Sequence, residues 1–114
     1  MSDTIVYIDK EEGISRVVNN AKLYTNLLLK FKNYTHLSEI EAALKEGELE
    51  KARNAAHTLK GLAANLSLKE LYKQIMELEA QYKAGIINAD QLEKVKTVFA
   101  QTIIEVDKVI AQHG

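Results

Sequence analysis

Three histidines, His36, His57 and His113, are the first candidates for chemistry in this chain. A neutral imidazole can serve as base, nucleophile or metal ligand near neutral pH. None of the three has Glu three residues before it: Asn33, Asn54 and Ile110 occupy those places, so the Glu-x-x-His pairs of di-iron bundles are missing. No two histidines lie four apart, which excludes a helical zinc pair. The chain has no Cys, and this removes disulfides, thiolate catalysis and thiolate zinc sites. The four Ser residues sit in no nucleophile-elbow context, and the glycines form no phosphate loop. The residues therefore offer no metal site.

His57 stands apart because of its neighbours. It directly follows Ala56, a position on an apolar seam, and so flanks that seam near solvent. Arg53 and Asn54 lie one helical turn back, Lys60 and Gly61 one turn on, and Ala64 two turns on. His57, Gly61 and Ala64 thus share a stripe with little side-chain bulk. Gly61 falls mid-helix, where glycine costs about 1 kcal/mol relative to alanine. Close approach of another body to the helix explains that cost; a buried helix–helix contact, or drift, is the alternative. A Lys60 ammonium can neutralise charge on a phosphoryl group attached to the ring, although a solvated lysine is the commoner case. His36, beside Leu37 in a helix, reads as a surface or satisfied side chain, and His113 as part of a solvated tail.

These residues need helices to position them. The chain has no Pro and only five Gly, which favours long uninterrupted helices. Leu49, Ala52, Ala56, Leu59, Ala63 and Leu66 step by three and four along one helical face. Leu68, Leu71, Ile75, Leu78 and Tyr82 repeat the pattern, and Leu92, Val95, Phe99, Thr102, Val106 and Val109 do so again, broadened by Ile103 and Ile110. Leu27, Leu28, Phe31, Leu37, Ile40 and Leu44 fit one helix over 21–45. The full expectation is a lead-in helix from Asp9 to about Val18, then helices over 21–45, 48–65, 67–84 and 89–112. Gly47 and Gly85 read as left-handed C-terminal caps. Asn65 reads as a helix-ending residue, Ser67 with Glu70 has capping-box spacing, and Asn88 or Asp90 can cap the last helix. Only Thr4 to Ile8 keeps strand-like alternation, and it is short enough to be an extended tail. Short connections make neighbours antiparallel, so the expected fold is all-α: an up-down-up-down four-helix bundle with a short N-terminal lead-in helix, in one domain over residues 1–114.

Composition agrees. The chain is 46% hydrophobic and 27% charged, enough for a core and a polar surface. Fifteen Lys and Arg against sixteen Asp and Glu leave a net charge of −1, which gives no support to nucleic-acid or anionic-membrane binding. No apolar run approaches the ~20 residues that span a bilayer, and the N-terminus lacks a secretion signal's pattern. A cytoplasmic, monomeric protein is the default expectation, and the Met1 start favours a free-standing chain.

The run Ala56-His57-Thr58-Leu59-Lys60-Gly61-Leu62-Ala63-Ala64-Asn65 resembles the core motif of histidine-containing phosphotransfer (HPt) domains, His-x-x-Lys-Gly inside a helix after a small residue. Ile8-Asp9, Leu28 to Phe31, Ala43-Leu44 before Gly47, and Leu78-Glu79 also fall where that family places such residues, so the resemblance spans essentially the whole chain. It implies that His57 is the phosphoryl acceptor through Nε2, that Lys60 meets the phosphoryl oxygens, and that Gly61 lets a partner dock. It also implies that Glu79 orients the imidazole by accepting from Nδ1–H; a surface acid is the alternative. Ala64, Ile14 and Val17 are the further docking candidates. One departure is Ser67, where the family usually has a second Gly six residues after the first; the capping-box reading supplies a substitute.

The resemblance implies a phosphorelay intermediate with no nucleotide site of its own, binding no cofactor. Its partners would be response-regulator receiver domains, whose Mg²⁺ supplies most of the charge stabilisation, with a sensor histidine kinase as a further partner. A module fed by a histidine kinase catalytic domain, as in chemotaxis, and a non-catalytic helical adaptor on the same scaffold are the rival readings.

Overall fold

The computed structural model describes residues 5–113, the side chain of His113 excepted. Thr4, the start of the short alternating run, lies outside the described residues. Six helices and no strand are present among those described: α1 Lys10–Arg16, α2 Ala21–Lys32, α3 His36–Lys45, α4 Leu49–Asn65, α5 Lys69–Lys83 and α6 Ala89–His113.

The expected helix over 21–45 is two helices. Apolar residues continue on both sides of the break, which is why the pattern reads as one, but their phase does not: the nine residues from Phe31 to Ile40 would turn a continuous helix by about 180°. The polar stretch Asn33-Tyr34-Thr35 interrupts it: the Asn33 N–H donates back to Lys30 and that of Tyr34 to Phe31, tight three-residue closures that end α2. The two pieces then pack separately. α3 lies on α4, α4 on α5, α5 on α6 and α6 on α2, so a bent α2–α3 unit fills the fourth place of a closed bundle. The core runs along its axis and includes Leu28, Phe31, Ile40, Leu59, Leu71, Ile75, Leu78, Val95 and Val106. Ala52, Ala56 and Ala63 are the small members of the α4 seam, all buried, and they let α4 pack closely against its neighbours. His36 opens α3 rather than lying mid-helix, and its Nδ1 pairs with Glu39 Oε2 at 2.8 Å. His113 ends α6 instead of lying in a tail; its side chain lies outside the described residues.

Side-chain caps open α1, α2 and α6, whereas α3, α4 and α5 begin without one. Asp9 caps α1 by accepting from the Glu12 N–H, and Asn20 caps α2 by accepting from Leu23. Asn88 does the same for α6, accepting from Asp90 and Gln91. Gly47 and Gly85 take φ +72° and +79°, the left-handed caps expected of them. α1 stops at Arg16, two residues short of the expected end, with Val18 and Asn19 in left-handed conformations of φ 50° and 58°.

The capping box at Ser67 is not formed. Ser67 is itself left-handed, φ 58°, and closes a Schellman motif: its N–H donates to Ala64 and that of Leu68 to Ala63. Its hydroxyl, with the residue 1% exposed, donates to Glu12 Oε1 on α1 at 2.7 Å rather than capping α5, which begins at Lys69. Ser67 thus holds a conformation that glycine adopts freely, at a cost of about 1 kcal/mol, and ties α1 to the α4–α5 turn. The Asp9 N–H adds a bond to the Ser67 carbonyl at 2.9 Å, and Lys69 Nζ reaches Glu12 at 2.7 Å. Gly13 completes the seat of α1, lying against the Tyr24 ring, whose hydroxyl donates to the Leu66 carbonyl at 2.6 Å.

Candidate functional site

α4 presents its seam to the core and its flank to solvent, and His57 stands on that flank. Its side chain is 68% exposed, so the ring is open to approach. The adjacent α5 turns Glu79, twenty-two residues later, toward it. Glu79 is 12% exposed and uses both carboxylate oxygens: Oε2 lies 2.8 Å from His57 Nδ1, and Oε1 lies 2.6 Å from Lys60 Nζ. One carboxylate thereby joins imidazole and ammonium across the α4–α5 interface.

The charge state of Glu79 decides the tautomer of the ring. Burial works against ionisation, but the hydrogen bonds from Lys60 and His57 outweigh it and hold the carboxyl below its usual range. An ionised carboxylate only accepts, so Nδ1 carries the proton and Nε2 keeps its lone pair. Among the described residues no hydrogen bond reaches Nε2. The arrangement is an exposed, oriented nitrogen nucleophile with its basicity supported from behind.

Lys60 sits beside the ring but is engaged. The reading of the sequence directs its ammonium to phosphoryl oxygens; in the structure it is bound to Glu79, with 24% of its side chain exposed. That pairing joins residues nineteen apart on two helices, and no spacing rule marks it. Arg53, one turn before His57, is occupied by Glu50 on its own helix. Gly61 is exposed, and a methyl group built there meets nothing within 4 Å. The buried helix–helix alternative for this glycine is therefore excluded. Ala64 is half-buried and lines a shallow cleft with Ser67, Lys69 and Tyr72.

Ile14 and Val17 are half-buried and pack against the core. Val17 also lines a cleft of about 410 Å³ between α1, α2 and α4, with Arg16, Leu62 and Asn65. Their neighbour Val18 is 84% exposed, and Tyr34, which lines the same cleft as Val17, is exposed as well. Val18, Leu62 and Asn65 are not among the docking candidates that the sequence offers. Only Asn65, two turns beyond His57 on the same flank, carried a signal in its spacing.

Among the described residues no cluster of three or more His, Asp or Glu side chains is placed to hold a metal ion, and no helix is long and apolar enough to cross a membrane. Among curated proteins and among solved structures, none matches the chain. A family model, that of the Hpt domain, matches residues 32–111, from the last residue of α2 nearly to the end of α6. With most of its length covered and its helices packed as a bundle, the chain belongs to the Hpt domain family, which gives it a histidine phosphotransfer role in a phosphorelay.

Proposed function

We propose that His57 accepts a phosphoryl group from the aspartyl phosphate of one receiver domain and passes it to the aspartate of another. The observation that carries this reading is the exposed His57 ring, tied through Nδ1 to an ionised Glu79. Nε2 attacks phosphorus in line with the bond to the aspartyl oxygen. The new P–N bond forms as the P–O bond breaks, and its electron pair leaves with the receiver's carboxylate. The ring retains the Nδ1 proton, becomes cationic, and is offset by Glu79. Onward transfer reverses these steps with a second carboxylate as nucleophile. Lys60 supplies the nearest ammonium for the phosphoryl oxygens. The receiver brings Mg²⁺ for the remaining charge.

The open space at Gly61 allows a receiver to bring its aspartate down to the ring. Contact then extends along Ala64 and Asn65 toward the cleft holding Val17 and past it to exposed Val18. Hpt domains generally exchange phosphoryl groups with receiver domains and kinases. The test separates these donors: the chain is incubated with a phosphorylated receiver alone, and separately with a histidine kinase catalytic domain and ATP. Rapid labelling by the receiver alone supports the receiver-fed reading. Labelling only by the kinase domain overturns it in favour of the chemotaxis-type alternative.

A further inference from the structure

Glu79 is a charged group in a place where a neutral amide would give the same hydrogen bond to Nδ1. Its second oxygen is committed to Lys60, so the carboxylate balances two cations at once after His57 is phosphorylated. We propose that the charge of Glu79, beyond its hydrogen bond, governs release of the phosphoryl group, by keeping the Nδ1 proton on the phosphorylated ring up to a higher pH. This rests on His57 being the acceptor.

The chemistry runs through the leaving group. When a receiver carboxylate attacks phosphorus, the P–N bond breaks and its electron pair returns to Nε2. If Nδ1 still holds its proton, the ring departs as neutral imidazole. If that proton has gone to solvent, the ring must depart as imidazolate, a far stronger base and a far poorer leaving group. A carboxylate against Nδ1–H stabilises the cationic ring without taking its proton, provided the carboxyl is the stronger acid. Glu79 meets that condition, since the bonds from Lys60 and His57 keep it ionised despite burial.

The other charged groups near the ring are accounted for. On α4, Arg53 is held by Glu50 and Lys60 by Glu79. On α5, Lys83 lies one turn past Glu79 and shares a surface cleft with Lys60. On α3, which packs beside α4, His36 and Glu39 bond to one another and Glu41 faces Lys96 on α6. Lys60 is thus the group that offsets Glu79 directly, and removing it should act in the opposite sense.

The experiment loads the full chain with phosphoramidate and follows loss of label to an unphosphorylated receiver across pH, with ¹⁵N NMR of the phosphorylated ring alongside. Relative to wild type, E79Q should move the midpoint of both profiles down, making the loss of outward transfer steeper on the alkaline side than on the acid side. K60Q should move both midpoints up, and it carries the test alone if E79Q loses helicity. Coincident midpoints for E79Q and wild type overturn the proposal, as does a shift of both variants in the same direction. Wild type that takes no label on His57 overturns the acceptor reading and this proposal with it, whereas normal labelling with unmoved profiles overturns this proposal alone.

Discussion

Gly61 offers a prediction in which stability and function move in opposite directions. It lies inside the 17-residue α4, four residues before its end, exposed and with nothing within 4 Å of an added methyl group. No steric cost therefore opposes the gain in helix propensity, and Gly61→Ala should stabilise the fold by about 1 kcal/mol. For a domain of this size that raises Tm by about 4 °C. Arginine has nearly alanine's propensity, so Gly61→Arg should stabilise almost as much. Transfer should respond the other way. A methyl group one turn from His57 costs a docking receiver little, but a guanidinium side chain occupies the approach. A loss of only ~1.4 kcal/mol in encounter already slows transfer tenfold, and Gly61→Arg should exceed that. Thermal unfolding and timed label transfer from a phosphorylated receiver read the two effects separately. If Gly61→Ala destabilises the fold, the open space at Gly61 is not real. If Gly61→Arg transfers at the wild-type rate, receivers do not dock over this stripe.

Three other outcomes follow from particular contacts. Tyr82 is 3% exposed, and its hydroxyl has no hydrogen-bond partner among the described residues; burial pushes its pKa up to about 12. Tyr82→Phe removes that desolvated hydroxyl and should leave stability equal or raise it by about 1 kcal/mol in chemical denaturation. At Gly13 an added methyl carbon would lie 2.3 Å from the Tyr24 ring, which is itself fixed by its bond to Leu66. Gly13→Ala should therefore cost about 1–3 kcal/mol and lower hydrogen-exchange protection in α1, whereas an unchanged melt would mean that α1 is not seated on Tyr24. Hydrogen bonds from Lys69 first, and then Ser67, hold Glu12 down from 4.5 to about 2. A carboxyl with a depressed folded-state pKa contributes fully above about pH 4.5 and loses that contribution as pH falls toward 2. α1 amides should lose protection across that window in wild type and show no such step in Glu12→Gln.

What the sequence disclosed, and what it withheld, divides along local and non-local lines. The α4 seam is legible because Ala52, Ala56, Leu59 and Ala63 are spaced by the helix itself, and all four are buried. The left-handed caps at Gly47 and Gly85 are legible because glycine's conformational freedom is a property of one residue. The break at Asn33–Thr35 shows in the sequence only as a slip of phase: Phe31 and Ile40 are both core residues, yet one continuous helix would place them about 180° apart, so only a break lets both face the core. Ser67 misleads for a different reason. Its spacing to Glu70 is that of a cap, yet its hydroxyl bonds to Glu12, fifty-five residues away, and its backbone takes the left-handed conformation that glycine adopts freely. At the site, the exposure of His57 is readable from its place beside the seam. The Lys60–Glu79 pair is not, because it depends on how α4 and α5 face one another.

The central claim is that one exposed imidazole carries the phosphoryl group, and labelling tests it most directly. Wild type and His57→Gln, matched for helicity by circular dichroism, are each mixed with a receiver carrying a radiolabelled aspartyl phosphate. Wild type should acquire label that survives alkali and is lost in acid, as a phosphorus–nitrogen bond requires, and His57→Gln should acquire none. Label of the same chemistry on His57→Gln would show that another residue is the acceptor and that the geometry around His57 serves some other end.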